Sequence, residues 1–254
     1  MQLGEVRAAK ADDFDHFRRL AESEDGWNLQ YDKQGTKVYS KVKEGSTVRL
    51  IKVVTNFADV SPSLMYDVLH DADYRRCWDD NMLECFEICQ LDRYNDIGYY
   101  SIKCPSPMRN RDFVTQRSWY WEDDNFIIFN HTVHHKVSRT NGCTELCHFG
   151  IPMVGRSLLL SNGFSGLEEQ YGLGFEVVAK VHKAALGYQA WKALHAPSYK
   201  PWIWPEQSIL PKLRLDDVES VSSESPSGSD QEQEVIGDDP NGYSSEDNLD
   251  EIML

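Results

Sequence analysis

Residues 74–79 read Tyr74-Arg75-Arg76-Cys77-Trp78-Asp79, and the chain follows two different periods on either side of them. Upstream, Ser61-Pro62 is a helix start: a Ser cap, then Pro at the first helical position, where its missing N–H costs nothing. Leu64, Met65, Val68 and Leu69 follow at helical spacing and predict one apolar face. The hexapeptide itself ends a second, short helix expected at Asp73–Trp78. Downstream the period falls to two, and strands are expected at Met82–Gln90, Gly98–Lys103, Phe113–Trp121 and Phe126–Val133.

Further outward, Asp12 or Asp13 is placed to cap a first helix with Phe14, Phe17 and Leu20 on one face, and Gly26 ends it. Trp27–Tyr31 alternates as a half-buried strand does, and Asp32–Gly35 makes a turn. Thr36–Val42 and Thr47–Asn56 are two more strands around Glu44-Gly45-Ser46, a hairpin signal. At the other end Phe175–His195 is helical, with Phe175, Val178, Val181, Ala185, Tyr188 and Trp191 at three- and four-residue steps. Gly187 inside that helix costs about 1 kcal/mol against Ala. Runs of strands without regularly alternating helices predict an α+β domain, not a doubly wound parallel sheet.

The chain has 254 residues, 41 Asp/Glu, 26 Lys/Arg and a net charge of -15. Thirteen of the acids lie in 216–254, which holds no Lys or Arg and one aromatic, Tyr243. A segment this polar cannot bury enough apolar surface to offset the entropy of ordering it. We therefore expect an N-terminal extension at 1–10, one folded domain at 11–207 and an acidic, disordered tail at 208–254. The near-neutral domain argues against generic nucleic-acid binding. Met1–Lys10 is short and polar, and no apolar run reaches the roughly 20 residues of a membrane span. The expected location is therefore the cytoplasm, with the six cysteines as reduced thiols.

The hexapeptide at 74–79 and the stretch Pro105-Ser106-Pro107-Met108-Arg109-Asn110-Arg111-Asp112 resemble two hallmark stretches of the START-domain lipid-transfer family. The resemblance is nearest to its phosphatidylcholine-transfer subgroup. Val68-Leu69-His70-Asp71, Gly98-Tyr99-Tyr100-Ser101 and Lys200-Pro201-Trp202, followed by Pro205-Glu206-Gln207, belong to the same likeness, which covers Asp12–Thr132 and Val178–Gln207. It implies a helix-grip fold, a curved antiparallel sheet around a long C-terminal helix with one phospholipid between them. It also implies Arg75 and Asp79 near the lipid phosphate, and Tyr100 and Phe113 around the choline methyl groups. No cofactor and no metal is implied.

The chemistry fits those residue types. A phosphodiester carried inside a protein is a buried anion, and a guanidinium offers it paired donors. Asp79 lies four residues after Arg75, one helical turn, and is placed to orient the guanidinium. A quaternary ammonium cannot donate hydrogen bonds and is held by aromatic faces, worth roughly 0.5–2 kcal/mol each. Acyl chains need only apolar walls, at about 0.8 kcal/mol per buried methylene. The plain reading stands beside this one: an i,i+4 Arg–Asp pair is commonly a surface salt bridge, and Tyr100 and Phe113 are ordinary core types. Asn110-Arg111-Asp112 reads as structural, fixing the entry to a strand.

Cys143–Gly174 departs from the family pattern. Two or three long strands belong there; instead seven glycines stand between Gly142 and Gly174. The stretch reads as a frame change, an unusual splice or a gene-model error more than as gradual drift. The expectation is that late strands are incomplete, which leaves a sheet edge unpaired and a tunnel open. His131, His134, His135, Cys143, Cys147 and His148 form no zinc pattern. No Ser-His-Asp order, Gly-x-Ser-x-Gly elbow or phosphate loop is present, so no enzyme is expected. A non-transporting lipid-sensing adaptor and a hydrolase or cyclase on the same scaffold are the alternatives.

Two further expectations concern regulation. Lys180, Lys183 and Lys192, with His182, accompany the apolar stripe of the last helix and mark it as a gate that meets anionic headgroups at a bilayer. Ser227, Ser229 and Ser244 each have an acid three residues later, the spacing read by acidophilic kinases of the casein kinase 2 type. A phosphate adds about -1.5 to -2 charge to an already acidic tail. The expected partners are thus a phospholipid, a membrane surface touched transiently and such a kinase, with the carrier a monomer.

Overall fold

Among the described residues nine strands form one sheet, and every pairing between them is antiparallel. The structure, a computed structural model, describes residues 4–42, 49–104, 110–123, 125–133, 135, 148–154, 157–164 and 170–214. All of them fall in one compact unit, Met1–Val221; a second unit, Ser222–Leu254, lies outside the described residues.

The N-terminal helix α1 (Ala11–Glu22) leads into β1 (Asn28–Lys33), β2 (Thr36–Val42) and β3 (Arg49–Asn56). The turn between β1 and β2 is two residues long. Gln34 and Gly35 both have positive φ, 52° and 77°, as a tight hairpin twisted like its strands requires. The helices α2 (Pro62–His70) and α3 (Ala72–Trp78) follow. Ser61 caps α2 by accepting from the Leu64 amide, and Asp71 caps α3 by accepting from the Tyr74 amide. The strands β4 (Met82–Asp92), β5 (Asn95–Ile102), β6 (Arg111–Glu122) and β7 (Asn125–Thr132) form a meander, and α4 (Gln170–Leu194) comes last but for a short 3₁₀ turn.

Between β7 and α4 stand β8 (His148–Val154) and β9 (Ser157–Phe164). This corrects the expectation of incomplete late strands. β8 pairs with β7, β9 pairs with β8, and β9 runs along β3 from Arg49↔Phe164 to Asn56↔Ser157. The order across the sheet is β1-β2-β3-β9-β8-β7-β6-β5-β4, so within this unit the two hairpin systems are joined through β8 and β9, and β1 and β4 are left as the edges. The strand signal was hidden by Gly150, Pro152 and Gly163, residue types that seldom occupy central strands.

The two faces of the sheet carry different loads. On one, α2, α3 and α4 pack over Val38 and Val53, with Met65 and Val68 supplied by α2, Tyr74 by α3, and Val178, Val181, Ala184 and Ala185 by α4. The other is covered by α1, whose Phe14 and Phe17 lie on Ile127 and Phe129, and by both ends of the described chain. The Gly4 amide donates to the Thr132 carbonyl at 2.9 Å. Gln116, fully buried, exchanges bonds with the Arg7 backbone, and Asn95 Oδ1 accepts from the Ala9 amide. Residues 4–10 are therefore part of the fold, tied down by buried amide side chains. At the β4 edge Lys212 bridges Gln90 in parallel, with Gln90 N–H on the Pro211 carbonyl at 2.8 Å and Leu213 N–H on the Gln90 carbonyl at 3.0 Å. A strap of backbone thus covers part of an edge that would otherwise template another chain.

Candidate functional site

The i,i+4 spacing in α3 does bring Arg75 and Asp79 together. Arg75 Nε donates to Asp79 Oδ2 at 3.0 Å. The third member comes from β5: Tyr100 Oη donates to the same Asp79 oxygen at 2.8 Å and accepts from Arg75 Nη2 at 3.4 Å. The guanidinium also lies over the Tyr100 ring, 4.6 Å from its centroid, and 5.7 Å from that of Trp78. The side chains of Arg75 and Asp79 are 27% and 13% exposed, so the pair is only partly desolvated. Burial works against the charge on Arg75, but Tyr100 and Asp79 outweigh it, and its pKa is raised. Burial likewise drives the Tyr100 hydroxyl up, which keeps it a donor. Arg75 Nη1 has no hydrogen-bond partner among the described residues.

Register places Phe113 beside this cluster. Tyr100 pairs directly with Phe113 of β6 on one side and with Cys85 of β4 on the other, so the three side chains share one face of the pleat. Nothing in the spacing singled out Cys85; only the pairing of β4 with β5 brings it here. Further along the same face Arg117 holds Asp96 and Glu87. Burial pushes Asp96 up to about 6 although Arg117 pulls it down. The Asn110-Arg111-Asp112 stretch has the bonds expected of a strand entry: the Cys104 amide donates to Asn110 Oδ1 at 3.2 Å, and Tyr99 Oη donates to Asp112 Oδ2 at 3.3 Å.

The lysines of α4 have three different settings. Lys183 is exposed. Lys180 pairs with Asp80 at 3.1 Å, with side chains 35% and 76% exposed. Lys192 corrects the expectation: it does not face outward. It is buried, and its ammonium donates to Asp71 Oδ2 at 2.8 Å, beside the Tyr188 hydroxyl at 3.0 Å. Asp71 also caps α3 through its other oxygen, so one carboxylate ties α3 to α4. The motif Lys200-Pro201-Trp202 does the same for α2: Lys200 Nζ and Trp202 Nε1 donate to the two oxygens of Asp67 at 2.6 and 2.8 Å. A surface cleft of about 320 Å³ lined by Ser61, Leu64, Asp67, Tyr188, Lys192 and Lys200 borders this anchor, away from Arg75.

Ser227, Ser229 and Ser244 lie outside the described residues, as do His134, Cys143 and Cys147 of the histidine–cysteine group. Its His131 is buried, with Nε2 2.8 Å from the Glu5 carbonyl oxygen. No group of metal-ligating side chains stands among the described residues. No helix there is long and apolar enough to cross a membrane.

Residues 9–146 match the START domain model. START domain-containing protein 10 of Mus musculus is 34% identical over 232 residues, which cover 84% of this chain and 79% of that protein. Human phosphatidylcholine transfer protein is 33% identical over 91 residues, 36% of this chain and 42% of its own. Among solved structures, the crystal structure of human STARD10 superposes with a TM-score of 0.76 at 34% identity, covering 86% of this chain and 97% of that one.

Proposed function

This chain belongs to the START domain family, and from that membership we propose that it binds one phospholipid between the sheet and α4 and transfers it between membranes. Phosphatidylcholine and phosphatidylethanolamine are the expected ligands. The observation that carries the reading is the Arg75–Asp79–Tyr100 cluster. A half-buried guanidinium keeps one amino group unpartnered among the described residues, on the sheet face that α4 covers. A phosphodiester drawn to Nη1 would take Arg75 partly off the Tyr100 ring. That ring face, with Phe113 beside it, is then released to the ammonium end of the headgroup. Asp79 balances the guanidinium when no phosphate is present.

Protein purified in its native state is expected to yield extractable phospholipid and to move phosphatidylcholine between vesicles. Folded protein that yields none and transfers none would reject the carrier reading. The same experiment separates it from the adaptor, which would bind lipid without moving it, and from an enzyme, which would turn over an acyl-CoA or ester.

The membrane contact belongs to Lys180 and Lys183, since Lys192 is committed to Asp71. We read the acidic tail as a brake on that contact, strengthened by phosphorylation at Ser227, Ser229 or Ser244. Repulsion from an anionic bilayer acts within a Debye length of roughly 8 Å at physiological salt, so the brake should fade as salt rises. Binding to anionic vesicles at low salt should increase for a chain ending at Leu215. It should fall for Ser227→Asp/Ser229→Asp and for Lys180→Gln/Lys183→Gln. Equal binding by all four forms would show that neither the tail nor these lysines acts at the membrane.

A further inference from the structure

We infer that α4 is a helix in two mechanical parts, and that the grip opens by turning at Gly187 while the end of the helix stays docked. The inference rests on the carrier reading, for which the grip must open to take up a lipid and again to release it.

The parts differ in how they are held. Ahead of Gly187 the polar ties made by the helix's own side chains, among the described residues, are at the surface. Lys180 meets Asp80, and His182, stacked on Phe57, meets Asp59 at 2.8 Å with side chains 34% and 54% exposed. Exposed pairs of this kind hold little. Apart from one buried bond at the boundary, from the Tyr74 hydroxyl to the Ala184 carbonyl, the rest of the attachment there is apolar, through Val178, Val181, Ala184 and Ala185 against the core. Acyl chains or a bilayer interior can replace such contacts without returning the side chains to water. Behind Gly187, Tyr188 and Lys192 are tied to Asp71 in a buried, charged contact, and beyond the helix Lys200 and Trp202 hold Asp67 in a partly exposed one. Breaking the Lys192–Asp71 pair leaves an ion buried without its partner, so this end does not leave readily.

The boundary is marked in the helix itself. Tyr74 Oη donates to the Ala184 carbonyl at 2.7 Å. In a regular helix that carbonyl also takes the amide of Tyr188, so two donors share one acceptor at this rung of the ladder. A Cβ at position 187 would stand 3.1 Å from the same hydroxyl. The glycine thus admits Tyr74 and leaves the helix weakest where the two kinds of attachment meet.

Tyr74→Phe removes the hydroxyl, and with it the shared carbonyl and the tight contact, so alanine then fits at 187. Tyr74→Phe/Gly187→Ala should transfer phosphatidylcholine between vesicles about fivefold more slowly than Tyr74→Phe alone, the ratio corresponding to the helix-propensity gap of Ala over Gly. Its urea midpoint should be no lower. Equal rates would overturn the hinge. Independently of any variant, hydrogen exchange of the full chain on anionic vesicles should lose protection at 177–186 and keep it at 189–194. Equal loss on both sides means that α4 leaves as one piece, and the hinge is wrong. Failure of the carrier reading looks different: wild type and both variants transfer nothing, which removes the premise and the hinge with it.

Discussion

Asp71→Asn should destabilise the folded domain by about 3–5 kcal/mol, the cost of leaving a buried ion without its partner. Asp71 is 4% exposed and Lys192 7%, and the carboxylate takes three donors: the Tyr74 amide, the Tyr188 hydroxyl and the Lys192 ammonium. An asparagine keeps an oxygen for the helix cap but sets an amide N–H against donors and removes the charge that Lys192 needs. Lys192→Met should cost clearly less, because it takes the buried cation away and leaves Asp71 with its other two donors. Urea unfolding of the three proteins makes the comparison, since linear extrapolation reports the difference in stability. An Asp71→Asn protein within 1 kcal/mol of wild type, by the same measurement, would show that the pair is no anchor.

Arg75→Ala should separate lipid binding from folding. If a phosphodiester is held by Arg75, losing a charge-assisted bond of about 1.5–3 kcal/mol lowers retention of phosphatidylcholine roughly 10- to 100-fold. The fold should lose far less. The Arg75–Asp79 pair is partly exposed, and Asp79 keeps the Tyr100 hydroxyl as a donor. Arg75→Lys should fall between, because an ammonium restores the charge without the paired donors. Lipid retention by mass spectrometry, set against urea midpoints, decides it. If retention and stability fall together, or if retention does not change, Arg75 is a structural residue and the phosphate site is elsewhere.

Several features were legible before any coordinates because their causes are local. Ser61-Pro62 starts α2 through a cap and a preset φ, both settled within one turn. Thr36–Val42 has the same bounds in sequence and structure, since its alternation is a period-two signal bounded by turn residues. Arg75 and Asp79 meet because one helical turn separates them. The site was less legible. That Tyr100 would share an oxygen of Asp79, and that Cys85 would stand in the same row, depends on how β4, β5 and α3 pack. Lys192 looked like the other lysines of α4, because helical spacing alone does not say which element will cover a flank.

The α+β class, most of the helices and strands, and the charged pair at the end of α3 follow from interactions between residues a few positions apart, and so can be read from the chain. Long-range packing sets the rest: that β9 joins β3, more than 100 positions away in sequence, that residues 4–10 belong to the fold, and that Lys192 is an anchor and Gly187 a point of close approach. Those outcomes depend on which distant surfaces bury one another and which buried donors find an acceptor. No local period records such a choice, because it is settled by the free energy of the assembled core as a whole.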